Sequence, residues 1–329
     1  MPDAVADYRK YLDPRTLAKI SSLDLRARLI VEGLTAGQHR SPFQGISVEF
    51  AQHRQYVQGD DVRHVDWKVL AKTDKVYLKQ YLQETNLQLI CVVDASESMG
   101  FGTVSPDQDG VAGKASPRAG RLGLRSSASS PPWTKYDHAT AMAAGLAYLA
   151  IQQQDSVGLA IFDQALGRYF KPSNSPGQWK MIAHELQQVP RGNKTSTGRV
   201  LEQLAEKLHH RSIVVILSDL FDDLDGLRQG LRRLRYRKHE LIVFQILDPA
   251  EIEFPFNDVT LFEGMEEGGD LLTEPRSLRA AYLEQLRAHT ESIQTMCRGM
   301  RIDFARLNTA EPLDVALSGF LATRSASIK

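Results

Sequence analysis

The chain is expected to fold as an α/β protein, a doubly wound, mostly parallel six-stranded sheet with a small helical and β-rich appendage at its amino terminus. Three observations predict this. Near-continuous apolar runs at residues 87–94, 157–162, 212–218 and 241–247 have the length and composition of strands covered on both faces. Helical stretches separate them, and such alternation calls for a parallel sheet with helices on both sides. Aspartate closes one run, at Asp94, and directly follows another, at Asp219, and open α/β sheets bind ligands at strand carboxyl ends, where the strand order reverses.

Taken in order, residues 1–85 form the appendage. Leu17, Ile20, Leu23, Leu25, Leu29 and Ile30 give an irregular helical stripe, read as two short helices. Ile46-Ser-Val-Glu-Phe50 alternates, Gln58-Gly-Asp-Asp61 is turn chemistry, and Val76-Tyr-Leu-Lys-Gln-Tyr-Leu82 reads as a strand. His64 and Asp66 are ligand-type residues there, but the favoured view is a tight turn followed by a packed Trp67, since no further ligand stands at metal spacing. Residues 86–325 form the main domain. Its strands are expected at 87–94, 157–162, 167–170, 212–218, 241–247 and 302–307, and its helices at 136–153, 177–188, 198–209, 278–296 and 313–322. Residues 103–132, rich in Ser, Gly, Ala and Pro, interrupt it as an expected flexible loop insertion.

Composition excludes several classes. Lys+Arg and Asp+Glu both number 40 in 329 residues, so no global field draws the chain to nucleic acid or anionic lipid. Two cysteines, Cys91 and Cys297, supply neither a disulfide framework nor a zinc set and fit a reducing cytosol. No signal-type leader and no run near the roughly 18 apolar residues of a membrane span is present. The expectation is a soluble, cytoplasmic protein.

The densest cluster of oxygen ligands is Asp94-Ala-Ser96-Glu-Ser98, where the first strand ends. Ser96 and Ser98 lie two apart on one loop, so both hydroxyls can face one point. Thr195, in Gly192-Asn-Lys-Thr-Ser-Thr-Gly198, and Asp219, after the run 213–217, are the candidate partners. Two carboxylates and three hydroxyls suit Mg²⁺ or Mn²⁺, which take about six oxygens, and leave a position for a carboxylate from a partner protein. The competing view is that these residues cap the following segment and fill a turn.

Enzyme motifs fit poorly. A haloacid-dehalogenase-type phosphatase needs a second Asp where Ser96 stands. Gly110-Val-Ala-Gly-Lys-Ala-Ser116 has the wrong spacing for a phosphate loop. Gly100-Phe-Gly102 meets Ser105 where a dinucleotide fingerprint needs its third glycine. No enzymatic activity is expected. The alternatives are a metal-dependent phosphoryl hydrolase using Asp94 and a structural scaffold.

The D-x-S-x-S run, Thr195 before a helix and Ser218-Asp219 after a strand resemble the metal-ion-dependent adhesion site of von Willebrand factor A domains. Ser41-Pro-Phe-Gln-Gly-Ile-Ser-Val-Glu-Phe, Gly59-Asp-Asp-Val-Arg-His-Val-Asp-Trp-Lys, Leu247-Asp-Pro-Ala-Glu and Leu272-Thr-Glu-Pro-Arg are similar to bacterial proteins of the family called domain of unknown function 58. The resemblance runs from about Tyr11 to Leu321 and departs at 103–132, where a short connection is the family's pattern. It implies a von Willebrand A-like sheet with the metal at its top edge. Ser96 and Ser98 would contact the ion directly and Asp94 through water. Thr195 and Asp219 would alternate between direct and water-mediated contact. It also implies association with a MoxR-type AAA+ ATPase in protein maturation or stress response.

Overall fold

The computed structural model describes residues 50–57, 65–73, 75–81, 87–104, 132–175, 177–188, 196–262, 271–315 and 317. The chain divides into two compact units, one of them Ser41–Leu87 and the other including Gln88–Lys329. In the smaller unit, β1 (Phe50–Gln55) pairs antiparallel with β2 (Tyr77–Tyr81), and α1 (Trp67–Thr73) lies between them in sequence. Asp66 Oδ1 accepts the Val69 amide at the start of α1. Trp67 was expected to be packed; it opens this helix and is 64% exposed. The two helices expected before residue 34 lie outside the described residues, as does His64.

The larger unit runs β3 (Gln88–Asp94), a 3₁₀ turn (Glu97–Gly100), α2 (Lys135–Gln152), β4 (Ser156–Phe162), β5 (Leu166–Ser173), α3 (Gln178–Gln188), α4 (Thr197–Lys207) and β6 (Ile213–Ser218). It continues with α5 (Leu224–Tyr236), β7 (Glu240–Leu247), α6 (Pro249–Glu253), β8 (Thr260–Phe262), β9 (Leu271–Thr273), α7 (Pro275–Gly299) and β10 (Asp303–Asn308). The six-stranded sheet has the order β10-β7-β6-β3-β4-β5. All neighbours are parallel except β4 and β5. Only residues 163–165 separate those two strands, and so short a link permits only an antiparallel pair. Not anticipated from the sequence were α1, the 3₁₀ turn, α5, the short α6 and the β8–β9 hairpin.

Alternation along β3 builds two cores. Leu89, Cys91 and Val93 face α2 and α3, packing with Ala139, Met142, Ala143 and Ile182. Ile90 and Val92 face α4 and α5, packing with Leu201, Leu204, Leu231 and Leu234. Small residues let α2 lie close to the sheet, and the Cys91 thiol comes within 3.8 Å of the Ala143 carbonyl oxygen. From β3 the chain passes to β4 on one side and later to β6 on the other. The strand order therefore reverses at β3, and the β3–β6 seam is where connections diverge and leave a crevice.

The expected loop insertion is anchored at its base. Val104 bridges antiparallel to Trp133, and the Lys135 amide donates to the Phe101 carbonyl at 2.9 Å. Gly102 permits this closure, because a Cβ there would stand 2.2 Å from the Trp133 carbonyl oxygen. Residues 105–131 lie outside the described residues, as does most of the expected closing helix at 313–322. Among the described residues no helix is long and apolar enough to cross a membrane. Cys91 and Cys297 are free and buried.

Candidate functional site

The apolar run of β3 carries Asp94 to the sheet's carboxyl edge, where it is fully buried. Its Oδ1 accepts the Ser96 amide at 2.8 Å, and its Oδ2 accepts the Ser218 hydroxyl at 2.6 Å. The first bond folds the chain back on itself, so the following 3₁₀ turn brings Ser98 beside Ser96. The two hydroxyl oxygens lie 3.1 Å apart. Ser96 occupies the position preceding the turn, yet its side chain makes no capping bond. Its hydroxyl is directed at Ser98 instead, so helix capping does not explain it.

On the neighbouring strand, Ser218 ends β6 and Asp219 follows it directly. Leu220 follows in the left-handed region at φ 59°, an uncommon conformation for a branched residue. The surrounding bonds hold it there: its amide donates to Ser218 Oγ at 2.9 Å, and His289 Nε2 donates to its carbonyl at 2.8 Å. Asp219 Oδ1 accepts the Phe221 amide at 3.3 Å, and its carbonyl accepts Gln245 Nε2 at 3.2 Å.

The remaining Asp219 oxygen is held by Lys135. This lysine begins α2 directly after Thr134, which forms a reciprocal capping box with Asp137. Its side chain is 1% exposed, and Nζ lies 2.8 Å from Asp219 Oδ2 and 2.6 Å from Glu251 Oε1. Glu251 is set by a second capping box, with its Oε2 accepting the Asp248 amide at 2.8 Å. Asp248 ties the edge together. Its carboxylate accepts the Thr103 amide and hydroxyl, the Ala250 amide and the Thr309 hydroxyl.

Of the residues expected to form the site, Asp94, Ser96, Ser98 and Asp219 come together at the β3–β6 seam. Thr195 lies outside the described residues. The two residues after it anchor the start of α4: the Ser196 amide donates to the Asp163 carbonyl at 3.3 Å, and the Thr197 amide donates to Asp222 Oδ2 at 2.5 Å. These anchors follow β4 and β6, the two neighbours of β3, so the amino end of α4 spans the strand that carries Asp94. Thr197 is fully buried, and its hydroxyl has no partner among the described residues.

Electrostatics distinguish the two aspartates' surroundings. Burial pushes the Asp94 carboxyl up to about 7, Asp219 nearby adds to the rise, and the bonds from Ser218 and Ser96 oppose it. Burial alone would lower Lys135, but Asp219 and Glu251 outweigh it and hold the ammonium above the ordinary lysine range. Glu251 is raised by burial against the opposing pull of Lys135. One ammonium thus contacts two carboxylates, Asp219 and Glu251, while Asp94 feels the charge of Asp219.

That donor set fits a small divalent cation: two convergent hydroxyls, aspartate oxygens beside them and more carboxylates than ammonium groups. All are hard oxygen donors of the kind Mg²⁺ and Mn²⁺ prefer. Among the described residues no three His, Cys, Asp or Glu side chains form a metal-binding group, so hydroxyls and waters would have to complete the shell. Ser96 and Ser98 would hold the ion, with Asp94 and Asp219 behind them.

Ser98, Lys135 and Glu251 also form one wall of a cavity of about 200 Å³, closed by Phe101, Phe254, Phe256, Phe262 and Tyr282. Phe254 stacks on Phe262 at 5.7 Å and meets Tyr282 at 4.6 Å between ring centroids. A charged locus and an apolar recess therefore share walls at the sheet edge.

Sequence reasoning missed Ser218, Lys135, Asp248 and Glu251 as parts of the site. The capping signatures Thr134-x-x-Asp137 and Asp248-Pro-Ala-Glu251 could have placed the helix starts that position Lys135 and Glu251.

The profile of the family described as Protein of unknown function DUF58 matches residues 52–117 and 123–292, and the chain belongs to that family. Uncharacterized protein Rv1480 of Mycobacterium tuberculosis is 25% identical over 317 residues, covering 95% of this chain and 90% of the relative. Among solved structures, the conserved hypothetical protein BatB from Bacteroides thetaiotaomicron superimposes with a TM-score of 0.44 at 10% identity, covering 73% of this chain and 99% of that one. The VWA domain of SpRpn10 gives 0.35 at 11% identity, covering 70% and 93%.

Proposed function

We propose that this protein is a non-enzymatic, divalent-metal-dependent interaction module of the von Willebrand factor A type. Its site at Asp94, Ser96, Ser98, Thr195 and Asp219 would hold Mg²⁺ or Mn²⁺ and receive a carboxylate from a protein partner. The observation that carries this reading is the convergence of the Ser96 and Ser98 hydroxyls, 3.1 Å apart, beside two buried aspartates at the switch point of the sheet. The aromatic recess beside them supports a protein ligand, since it offers apolar area next to a polar anchor. Family resemblance makes a MoxR-type AAA+ ATPase the proposed partner, in protein maturation or stress response, and the free cysteines favour a reducing, cytoplasmic setting.

A phosphoryl hydrolase using Asp94 is disfavoured by geometry. A nucleophilic carboxylate must present a free oxygen to the phosphorus, whereas Asp94 is fully buried and both its oxygens accept bonds from the protein. Calorimetric titration with Mg²⁺ and Mn²⁺ tests the proposal. Wild type should bind one ion, and Asp94→Ala should lose most of the heat. Equal signals, or none, would sink the metal claim. Turnover of a generic phosphomonoester that vanishes in Asp94→Asn would replace this reading with hydrolysis.

A further inference from the structure

Lys135 stands where a metal-binding edge has no evident use for a cation. Its ammonium is withdrawn from solvent, and it touches Asp219, one of the proposed ligands, at 2.8 Å. A buried ammonium needs pairing, and one carboxylate suffices to neutralise its charge. Lys135 has two, on different elements: Asp219 at the end of β6 and Glu251 in α6, the latter closer at 2.6 Å. The Phe221 ring centroid lies 5.2 Å from Nζ and adds a third favourable contact. Lys135 also lines the 200 Å³ cavity on the Glu251 side, so the ammonium has room to withdraw from Asp219 without leaving Glu251.

We propose that Lys135 is a resident counter-cation of the site: it neutralises Asp219 when no metal is bound, competes with the divalent ion for that carboxylate, and retires onto Glu251 when the ion enters. This rests on the metal-dependent reading above and adds the residue that sets how tightly the ion is held. A like charge a few ångströms from the ion opposes it directly. Removing Lys135 therefore tightens ion binding. Removing Glu251 deprives the ammonium of its second anchor, pins it to Asp219 and weakens binding. Opposite shifts follow from Coulomb's law for any fixed ion pair, so the comparison that isolates competition for Asp219 is the double variant Lys135→Met/Glu251→Gln, whose net charge equals that of wild type.

The test is a Mn²⁺ titration of wild type, Lys135→Met and Glu251→Gln on the full chain, read by calorimetry and by the electron paramagnetic resonance signal of free Mn²⁺. Thermal melts with and without chelator accompany it. Lys135→Met should bind Mn²⁺ about tenfold more tightly or better, Glu251→Gln more weakly, and the melting point of Lys135→Met should depend on the ion far more than that of wild type. Lys135→Met/Glu251→Gln keeps the cluster's net charge, serves also where Lys135→Met does not fold, and should still bind more tightly than wild type. Equal or weaker binding in the double variant, or in Lys135→Met, overturns the competition while leaving the metal reading intact. Binding in Lys135→Met but none in wild type supports the competition and overturns metal dependence of the native protein. No binding in any folded variant overturns both.

Discussion

The hydroxyl of Ser218 donates to Asp94 Oδ2 at 2.6 Å across the seam between β6 and β3, joining residues 124 positions apart, with neither side chain exposed. Ser218 Oγ also accepts the Leu220 amide at 2.9 Å, so one hydroxyl fixes both the buried aspartate and the left-handed turn beside it. Ser218→Ala should cost about 1–3 kcal/mol, because it leaves a buried carboxylate oxygen and a backbone amide without a partner. Urea unfolding at neutral pH measures it, and a change below about 0.5 kcal/mol would mean that the bond is not made in solution.

Two buried groups give stability opposite pH dependences. Burial lowers His138 to about 3, and its Nδ1 accepts Trp133 Nε1 at 3.4 Å. The unfolded chain binds that proton more readily, so stability is complete above about 6.5 and falls as the pH drops toward 3, by roughly 1.4 kcal/mol per unit. Asp94 acts the other way. With its folded value raised to about 7 from the ordinary 3.8, stability is greatest below 4 and is lost as the pH rises through 7. In chelator, His138→Gln should resist acid better than wild type, and Asp94→Asn should lose less stability between pH 5 and 8. Denaturation curves from about pH 3 to pH 8 check both signs.

Helices α4 and α5 meet through glycine. A Cβ on Gly198 would stand 2.4 Å from the carbonyl carbon and oxygen of Gly226, which are backbone atoms and cannot swing aside. At Gly226 the nearest atom to an added Cβ is Asp223 Oδ2 at 3.0 Å, the end of a side chain. Gly198→Ala should therefore destabilise by about 1–3 kcal/mol through overpacking. Gly226→Ala should cost less, since helix propensity partly offsets the clash. Equal melting points for the two variants would contradict this packing.

Both thiols should be inert in the native protein. Burial pushes Cys91 and Cys297 up to about 12, leaving almost no thiolate at neutral pH. A disulfide dye at pH 8 should report no fast-reacting thiol in buffer and two in denaturant. Reaction in buffer at the denatured rate would show that one of these cores opens readily.

Periodicity made the sheet legible. Strands β3, β4, β6 and β7 are buried on both faces, so each reads as an unbroken apolar run with a clear end. The antiparallel edge strand β5 is half-exposed along its length and was foreseen only as residues 167–170. In α5, Leu227, Leu231 and Leu234 form the buried stripe with Arg228, Arg232, Arg233 and Arg235 on the other face, a helical periodicity that was present in the sequence and went unread. The hairpin β8–β9 leaves Leu261 and Leu272 exposed, so no alternation of apolar and polar residues marked it.

By itself the sequence determined what local spacing can determine. A strand ending at Asp94 with serines two and four residues on places both hydroxyls on one loop, and an aspartate directly after a second strand supplies a counterpart at the same edge. Which strands lie side by side, and which charge faces which, was decided by the tertiary structure. Lys135 reaches Asp219 across 84 positions and Glu251 across 116. A buried ammonium must be matched by carboxylates, but pairing constrains only positions in space, and a lone lysine at a helix start carries no trace of its partners. The oxygen ligands were therefore visible in the chain, while the cation that already sits among them became visible only in the fold.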